Sequence, residues 1–159
     1  MNQYYYAKYS IETTTYPIIV NIGAERGDGE TSFFCELGTH VQVYAIDADP
    51  RTYELLSKLE QKYSNLKTYN LAISDKNGEV NFYQSGGLHP SEPSHQWTSA
   101  SSILSTEVMQ NGQPYPWMTY DKITVPSKTL DVWAKEVGIN HVDFMWVDIE
   151  GASHLLING

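Results

Sequence analysis

Residues 17–37 read PIIVNIGAERGDGETSFFCEL, and this stretch decides the fold. Ile18, Ile19, Val20 and Ile22 form a short, nearly continuous apolar run, the pattern of a strand buried on both faces. The run ends at Gly23, with Gly27 and Gly29 close behind. An apolar-rich segment from Thr31 to Leu37 follows and closes at Gly38, as a helix end does. The order is strand, glycine turn, helix.

The unit recurs downstream. Residues 41–46 (VQVYAI) form a second strand, and Asp49 before Pro50 suits an N-cap and first helical turn. Tyr53, Leu55, Leu56, Leu59 and Tyr63 then fall on one helical stripe. Residues 66–73 read as a third strand, and DKNG at 75–78 is a turn into a short alternating piece at 79–83. Leu130, Trp133 and Val137 have helical spacing and end at Gly138; residues 141–147 form a fourth strand, and residues 152–159 open another helix. Strands alternating with helices predict a parallel sheet, because each parallel pair needs a crossover. Two segments lack this order. Residues 1–16, rich in tyrosine, read as a leading strand or arm. Residues 84–126 carry Gly86, Gly87, Pro90, Pro93, Pro114, Pro116, Pro126 and many serines, and read as an irregular insertion or a functional lid.

Composition bounds the function. The chain has 159 residues, 10 Lys plus Arg against 19 Asp plus Glu, a net charge of −9 and 41% hydrophobic residues, which describes one soluble domain spanning 1–159. A fold of this length buries roughly 68–70% of its unfolded surface, so no staples are needed. The single cysteine, Cys35, cannot bridge internally and reads as a small core residue; no basic start precedes an apolar run, and the cytoplasm is the expected compartment. No apolar run approaches the ~20 residues that cross a bilayer. The basic residues are scattered from Lys8 to Lys135, which argues against a nucleic acid partner.

The glycine turn lies where α/β sheets grip nucleotide-type cofactors, at the carboxyl end of the first strand. Asp47 ends the second strand, 47 − 27 = 20 residues after Gly27, where a carboxylate can accept both hydroxyls of a ribose. An ordinary strand-to-helix turn and a solvated loop carboxylate are the plain alternatives. A dinucleotide site wants G-x-G-x-x-G, whereas the glycines here stand at 23, 27 and 29. That argues against an NAD-dependent oxidoreductase and for a cofactor without phosphates, such as S-adenosylmethionine with its cationic sulfonium.

Six segments carry a family resemblance: VNIGAERGDGETS (20–32), VYAIDADP (43–50), LAISDKNGEVNFY (71–83), SASSIL (99–104), PSKTLDVW (126–133) and DFMWVDIEGASHLLING (143–159). In this order they resemble the motifs of FkbM-type methyltransferases, class I enzymes that use S-adenosylmethionine. The resemblance implies a Rossmann-like α/β fold with a mostly parallel sheet, strands ordered 3-2-1-4. It also implies a sheet incomplete at the C-terminus, since such enzymes continue through further strands. An open apolar edge on the fourth strand would invite pairing with a second copy or another partner.

The resemblance further implies that Gly23, Ala24 and Gly27 floor the methionine part of the cofactor, with Asn21 just before them. Asp47 would hold the ribose beside Ala48, and Ala72, Ile73 and Ser74 would lie near the adenine. Asp148 and Glu150 would face the methyl donor and a hydroxyl acceptor on a small molecule or glycan. Glu150 would either take the acceptor's proton or charge the next helix's N-terminus. Asn21, Trp146 and Ser153 stand where the family commonly has aspartate, lysine and glutamate, so a non-catalytic or truncated binding module is the alternative. His89, Glu92 and His95 lie close together, but a loop with two prolines seldom presets metal geometry, and no metal is expected. Trp97 and Trp117 would cover the cofactor, receive an acceptor or anchor the loop.

Overall fold

The structure is a computed structural model; the residues it describes are 3–91, 93, 94, 96–105 and 117–159. Its elements in chain order are α1 (Gln3–Ile11), β1 (Ile18–Ile22), α2 (Glu30–Glu36), β2 (Gln42–Asp47), α3 (Pro50–Leu56), β3 (Leu66–Asn70), β4 (Ala72–Ile73), β5 (Gly78–Gly87), β6 (Met118–Lys128), α4 (Leu130–Val137), β7 (Phe144–Val147) and α5 (Ser153–Asn158). A 3-10 turn, Ser57–Gln61, continues α3.

Four strands form a parallel sheet in the order β3-β2-β1-β7, as the repeated strand and helix pattern requires. Alternate side chains on β1 and β2 enter opposite cores. Ile19, Val43 and Ala45 pack with Phe34 and Cys35 of α2, Leu56 of α3 and Ala7 and Ile11 of α1. Val20, Ile22, Tyr44 and Ile46 pack on the other face with Trp133 of α4 and Leu156 of α5. Both faces are covered, which is why the strands read as continuous apolar runs. The chain has a Rossmann-like fold. Asp49 caps α3 by accepting from the Arg51 backbone N–H, with Pro50 in the first turn, and α4 ends on Gly138, as the sequence indicates.

A second sheet, ordered β4-β6-β5, stands beside the first and encloses Ala72, Phe82 and Val125. It corrects two expectations. The segment 66–73 is not one strand: Asn70 ends β3, its side-chain amide donating to the Asp47 carbonyl at 2.8 Å, and after Leu71 the chain crosses to pair with β6. The stretch 84–126 is not irregular at its two ends, because β5 and β6 pair antiparallel from Gly78↔Ser127 to Gly87↔Met118. Its glycines and prolines hide a long hairpin whose register is set by the partner strand.

Two smaller corrections concern helices. Residues 3–11 form a helix, not a strand or arm, docked by Ala7 and Ile11 four residues apart while Tyr5 and Tyr9 remain exposed. Leu55 is 44% exposed and lies off the buried stripe, which runs through Leu56, Leu59 and Tyr63. Cys35 is a core residue, its thiol pushed up to about 12, chiefly by burial.

Trp133 anchors one core, edge-on to Tyr44 at 5.7 Å and to Tyr69 at 5.5 Å, with its indole N–H lacking an acceptor among the described residues. Trp133→Ala should therefore cost ~3–5 kcal/mol by urea denaturation. Trp133→Phe should cost clearly less, since it removes a buried donor that has no partner.

Candidate functional site

The carboxyl ends of β1, β2 and β7 open into one cleft with about 720 Å³ of space free of protein atoms, part of it open to solvent. Gly23, Asp47, Ala48, Ala72, Ile73, Asp148 and Glu150 all line it, so the structure brings these sequence-derived residues together.

Gly23 shapes the site through its own chain. Its N–H donates to the Ile46 carbonyl at 2.9 Å, and the Ala24 N–H donates to the same oxygen at 3.1 Å. At φ +80 an added Cβ would lie 1.8 Å from the Asp148 carbonyl oxygen. Only glycine lets the β1 turn pass this close under the end of β7, and that passage brings Asp148 and Glu150 to the cleft. Gly27 has a different neighbour: an added Cβ would meet the Leu56 and Leu59 methyls at 2.5 and 2.7 Å. It packs the turn onto α3 and, like Ala24, does not line the cleft. Asn21 is also outside; its amide donates to the Thr31 hydroxyl at 2.8 Å and its carbonyl oxygen has no partner among the described residues. Ser74 likewise turns away, its hydroxyl paired with that of Ser127 at 2.8 Å.

Asp47 is a buried carboxylate with three donors. Oδ2 accepts from the Glu25 N–H at 2.7 Å, and Oδ1 accepts from the Asp49 N–H at 2.9 Å and the Thr52 hydroxyl at 2.8 Å. A carboxylate offers about four lone-pair positions. Oδ1 is filled and one position remains on Oδ2. Asp47 lies where the sequence reading expects a ribose-holding carboxylate, at the end of β2 and on the wall of the cleft. Burial pushes this carboxyl up to about 6, opposed by its three hydrogen bonds.

Asp49, next on the same turn, is compensated. Burial raises its carboxyl, but the Arg51 guanidinium, 2.6 Å away, and its hydrogen bonds outweigh this and hold it below the usual range. Asp49 also accepts from Gln84 at 2.8 Å and from the Ser101 hydroxyl at 3.2 Å. Through these contacts residues 98–103 are drawn across the cleft. Ser102 continues the link, pairing in backbone with Tyr83 and donating its hydroxyl to the Glu150 carbonyl at 3.2 Å. Thr98 and Ser99 donate to the Glu25 carboxylate at 3.2 and 2.9 Å.

Glu25, Asp49, Thr52, Phe82, Thr98, Ser99, Ser101, Ser102 and Ile103 line the cleft and were not singled out as site residues from sequence. The SASSIL segment was the available signal for the serines. Glu25 and Glu150 carry two further marks, since both hold positive φ, +51 and +46. Non-glycine residues adopt that conformation seldom, and such strain gathers at functional sites.

Glu150 stands at the cleft mouth with its carboxyl raised by partial burial and then by the charge of Asp148. The short α5 that follows has Ala152 as its N-cap and no side-chain cap bond. Among the described residues, five carboxylates line the cleft, namely Glu25, Asp47, Asp49, Asp148 and Glu150, and no lysine or arginine does.

The remaining sequence candidates resolve as follows. Glu92 and His95 lie outside the described residues, and His89 packs against Trp97 and Trp117 at 5.3 and 4.7 Å. Among the described residues no group of three metal-ligating side chains occurs. Trp97 and Trp117 do not line the cleft, and no described helix is long and apolar enough to cross a membrane.

The Methyltransferase FkbM domain family matches residues 21–159. Among curated proteins, the 2-O-methyltransferase NoeI of Sinorhizobium fredii is 28% identical over 144 residues, covering 90% of this chain and 57% of NoeI. The chain thus spans a little over half the length of that relative. Among solved structures, YcgJ from Bacillus subtilis is 17% identical with TM-score 0.35, over 46% of this chain and 33% of its own. P. horikoshii TYW2, solved in complex with MeSAdo, is 12% identical with TM-score 0.34, over 79% of this chain and 63% of its own. The cleft at the strand ends and the family match over most of the sequence lead to one assignment: this chain belongs to the FkbM methyltransferase family.

Proposed function

We propose that the cleft binds S-adenosylmethionine and that the chain transfers its methyl group to a hydroxyl of a small molecule or glycan. The observation that carries this reading is the charge of the lining, five carboxylates and no base among the described residues. A sulfonium cation is attracted there, whereas the pyrophosphate of a dinucleotide is repelled. The residues suit the rest of the cofactor as well. Ala48, Ala72, Ile73, Phe82 and Ile103 offer an apolar slot for adenine, and the open position on Asp47 Oδ2 accepts one ribose hydroxyl.

When bound, the cofactor supplies an electrophilic methyl group on sulfur. The chain's part is to hold the acceptor in line, exclude water and receive the hydroxyl proton. Glu150 is the residue we assign to that proton. Its raised carboxyl is a better proton acceptor than an ordinary glutamate.

Isothermal calorimetry tests the cofactor reading. S-adenosylhomocysteine should bind and NAD should not; binding of NAD alone would favour an oxidoreductase, and binding of neither a non-catalytic module. Asp47 sets the pH dependence. Its charged form accepts the ribose hydroxyl, so protonation below its value of about 6 removes the acceptor. Affinity for S-adenosylhomocysteine should be level above pH 7 and fall by up to about tenfold per pH unit below 6. Glu150→Gln should lower methyl transfer to an accepted hydroxyl by roughly 10²–10⁴-fold, the usual contribution of a general base. Calorimetric affinity for S-adenosylhomocysteine should change little in that variant.

A further inference from the structure

A second groove adjoins the cleft and shares Glu25, Thr98 and Ser99 with it. Its other walls are Arg26, Asp28, Gln96 and Trp97. Trp97 is a partly exposed plate, held from behind. Its ring lies 5.3 Å from His89 and 5.8 Å from Trp117, and its backbone N–H donates to the Gly87 carbonyl at 3.0 Å. Around the plate stand planar polar groups: a guanidinium, a carboxylate and an amide. The Arg26 guanidinium reaches the Thr98 hydroxyl at 3.4 Å, while Asp28 and Gln96 have no side-chain hydrogen-bond partner among the described residues.

We infer that this groove is a saccharide subsite, in which Trp97 stacks on the C–H face of a sugar ring and Arg26, Asp28 and Gln96 meet its hydroxyl edge. A sugar ring combines an apolar face with a rim of donors and acceptors, and the groove offers the complement of both. Other ligand chemistries fit less well. Among the described residues, an anion would face Glu25 and Asp28 with only Arg26 in compensation, and a lipid-like chain would find no aliphatic residue along the walls. The inference rests on the methyl-transfer reading for its consequence: the bound sugar is the acceptor. Its reacting hydroxyl reaches the cleft across the seam where Thr98 and Ser99 donate to Glu25. That seam is made of hydroxyls on a carboxylate, so a sugar hydroxyl can take the place of either donor without leaving Glu25 unpaired.

Saturation-transfer NMR on the 159-residue chain, with and without S-adenosylhomocysteine, tests the subsite. The probes are the methyl glycosides of glucose, galactose, mannose, fucose and N-acetylglucosamine, with adenosine as a contrast. At least one glycoside should receive saturation at its ring C–H protons. Trp97→Leu, which keeps apolar volume but loses the aromatic face, should weaken that binding roughly tenfold or more, and Trp97→Phe should largely retain it. Both variants should keep the wild-type thermal midpoint and affinity for S-adenosylhomocysteine. Saturation of no glycoside, saturation of adenosine alone, or equal glycoside binding by Trp97→Leu and wild type would each overturn the subsite. Glycoside binding through Trp97 without any binding of S-adenosylhomocysteine would leave the subsite standing and remove the methyl-transfer reading. The reverse result would remove the subsite alone.

Discussion

The carboxylate of Asp47 holds the site together. It receives the Glu25 N–H from the turn after β1, the Asp49 N–H from its own turn and the Thr52 hydroxyl from α3. Its backbone carbonyl receives the Asn70 amide at the end of β3. Turns after successive strands are thereby fixed relative to one another at the place where a cofactor would lie. A buried carboxylate is costly unless it is well hydrogen-bonded, and the three donors offset that cost only in part, leaving its carboxyl raised. The same carboxylate that organises the loops also lines the cleft.

Around this hub the acidic lining is managed unevenly. Asp49 is tied to Arg51 and supports the serines that cross the cleft, so its charge serves structure. Glu25 accepts hydroxyls from Thr98 and Ser99 and joins the cleft to its neighbouring groove. Asp148 and Glu150 face one another's charge at the mouth, and the raised carboxyl of Glu150 follows from that and from partial burial. The close passage at Gly23 puts this pair over the β1 turn, so one glycine decides where the charges meet.

The small sheet contributes the far wall. Phe82 on β5 and Ala72 and Ile73 on β4 line the cleft, while the bridge between Tyr83 and Ser102 leads the chain back across it. The β5 and β6 hairpin therefore acts as a frame from which residues 96–103 span the strand ends. Thr98 and Ser99 of the cleft and Gln96 and Trp97 of the second groove lie on this one span, while Arg26 and Asp28 of the groove come from the turn after β1.

Local pattern was enough for the parallel sheet. The run Ile18–Ile22, the glycine after it, the Asp49 cap and the spacing of Leu130, Trp133 and Val137 each depend on neighbours in sequence, and all appear as read. Asp47 was legible from its place at the end of the second strand, whereas Ala48, Ala72, Ile73, Asp148 and Glu150 reached the cleft wall as the family motifs implied. Other features depend on partners far along the chain. The β5 and β6 pairing joins residues up to 49 apart, as at Gly78 and Ser127, so Gly86, Gly87 and Pro126 gave only the look of a loop. The break after Asn70, the docking of α1 by Ala7 and Ile11, and the return of Thr98 to Ser102 over the cleft are likewise contacts between remote segments. The hydrogen bonding of Asp47 was also beyond the sequence, because donors from two turns and a helix had first to converge on one carboxylate. Periodicity reports which face of an element is buried; only the packed chain determines what that face meets.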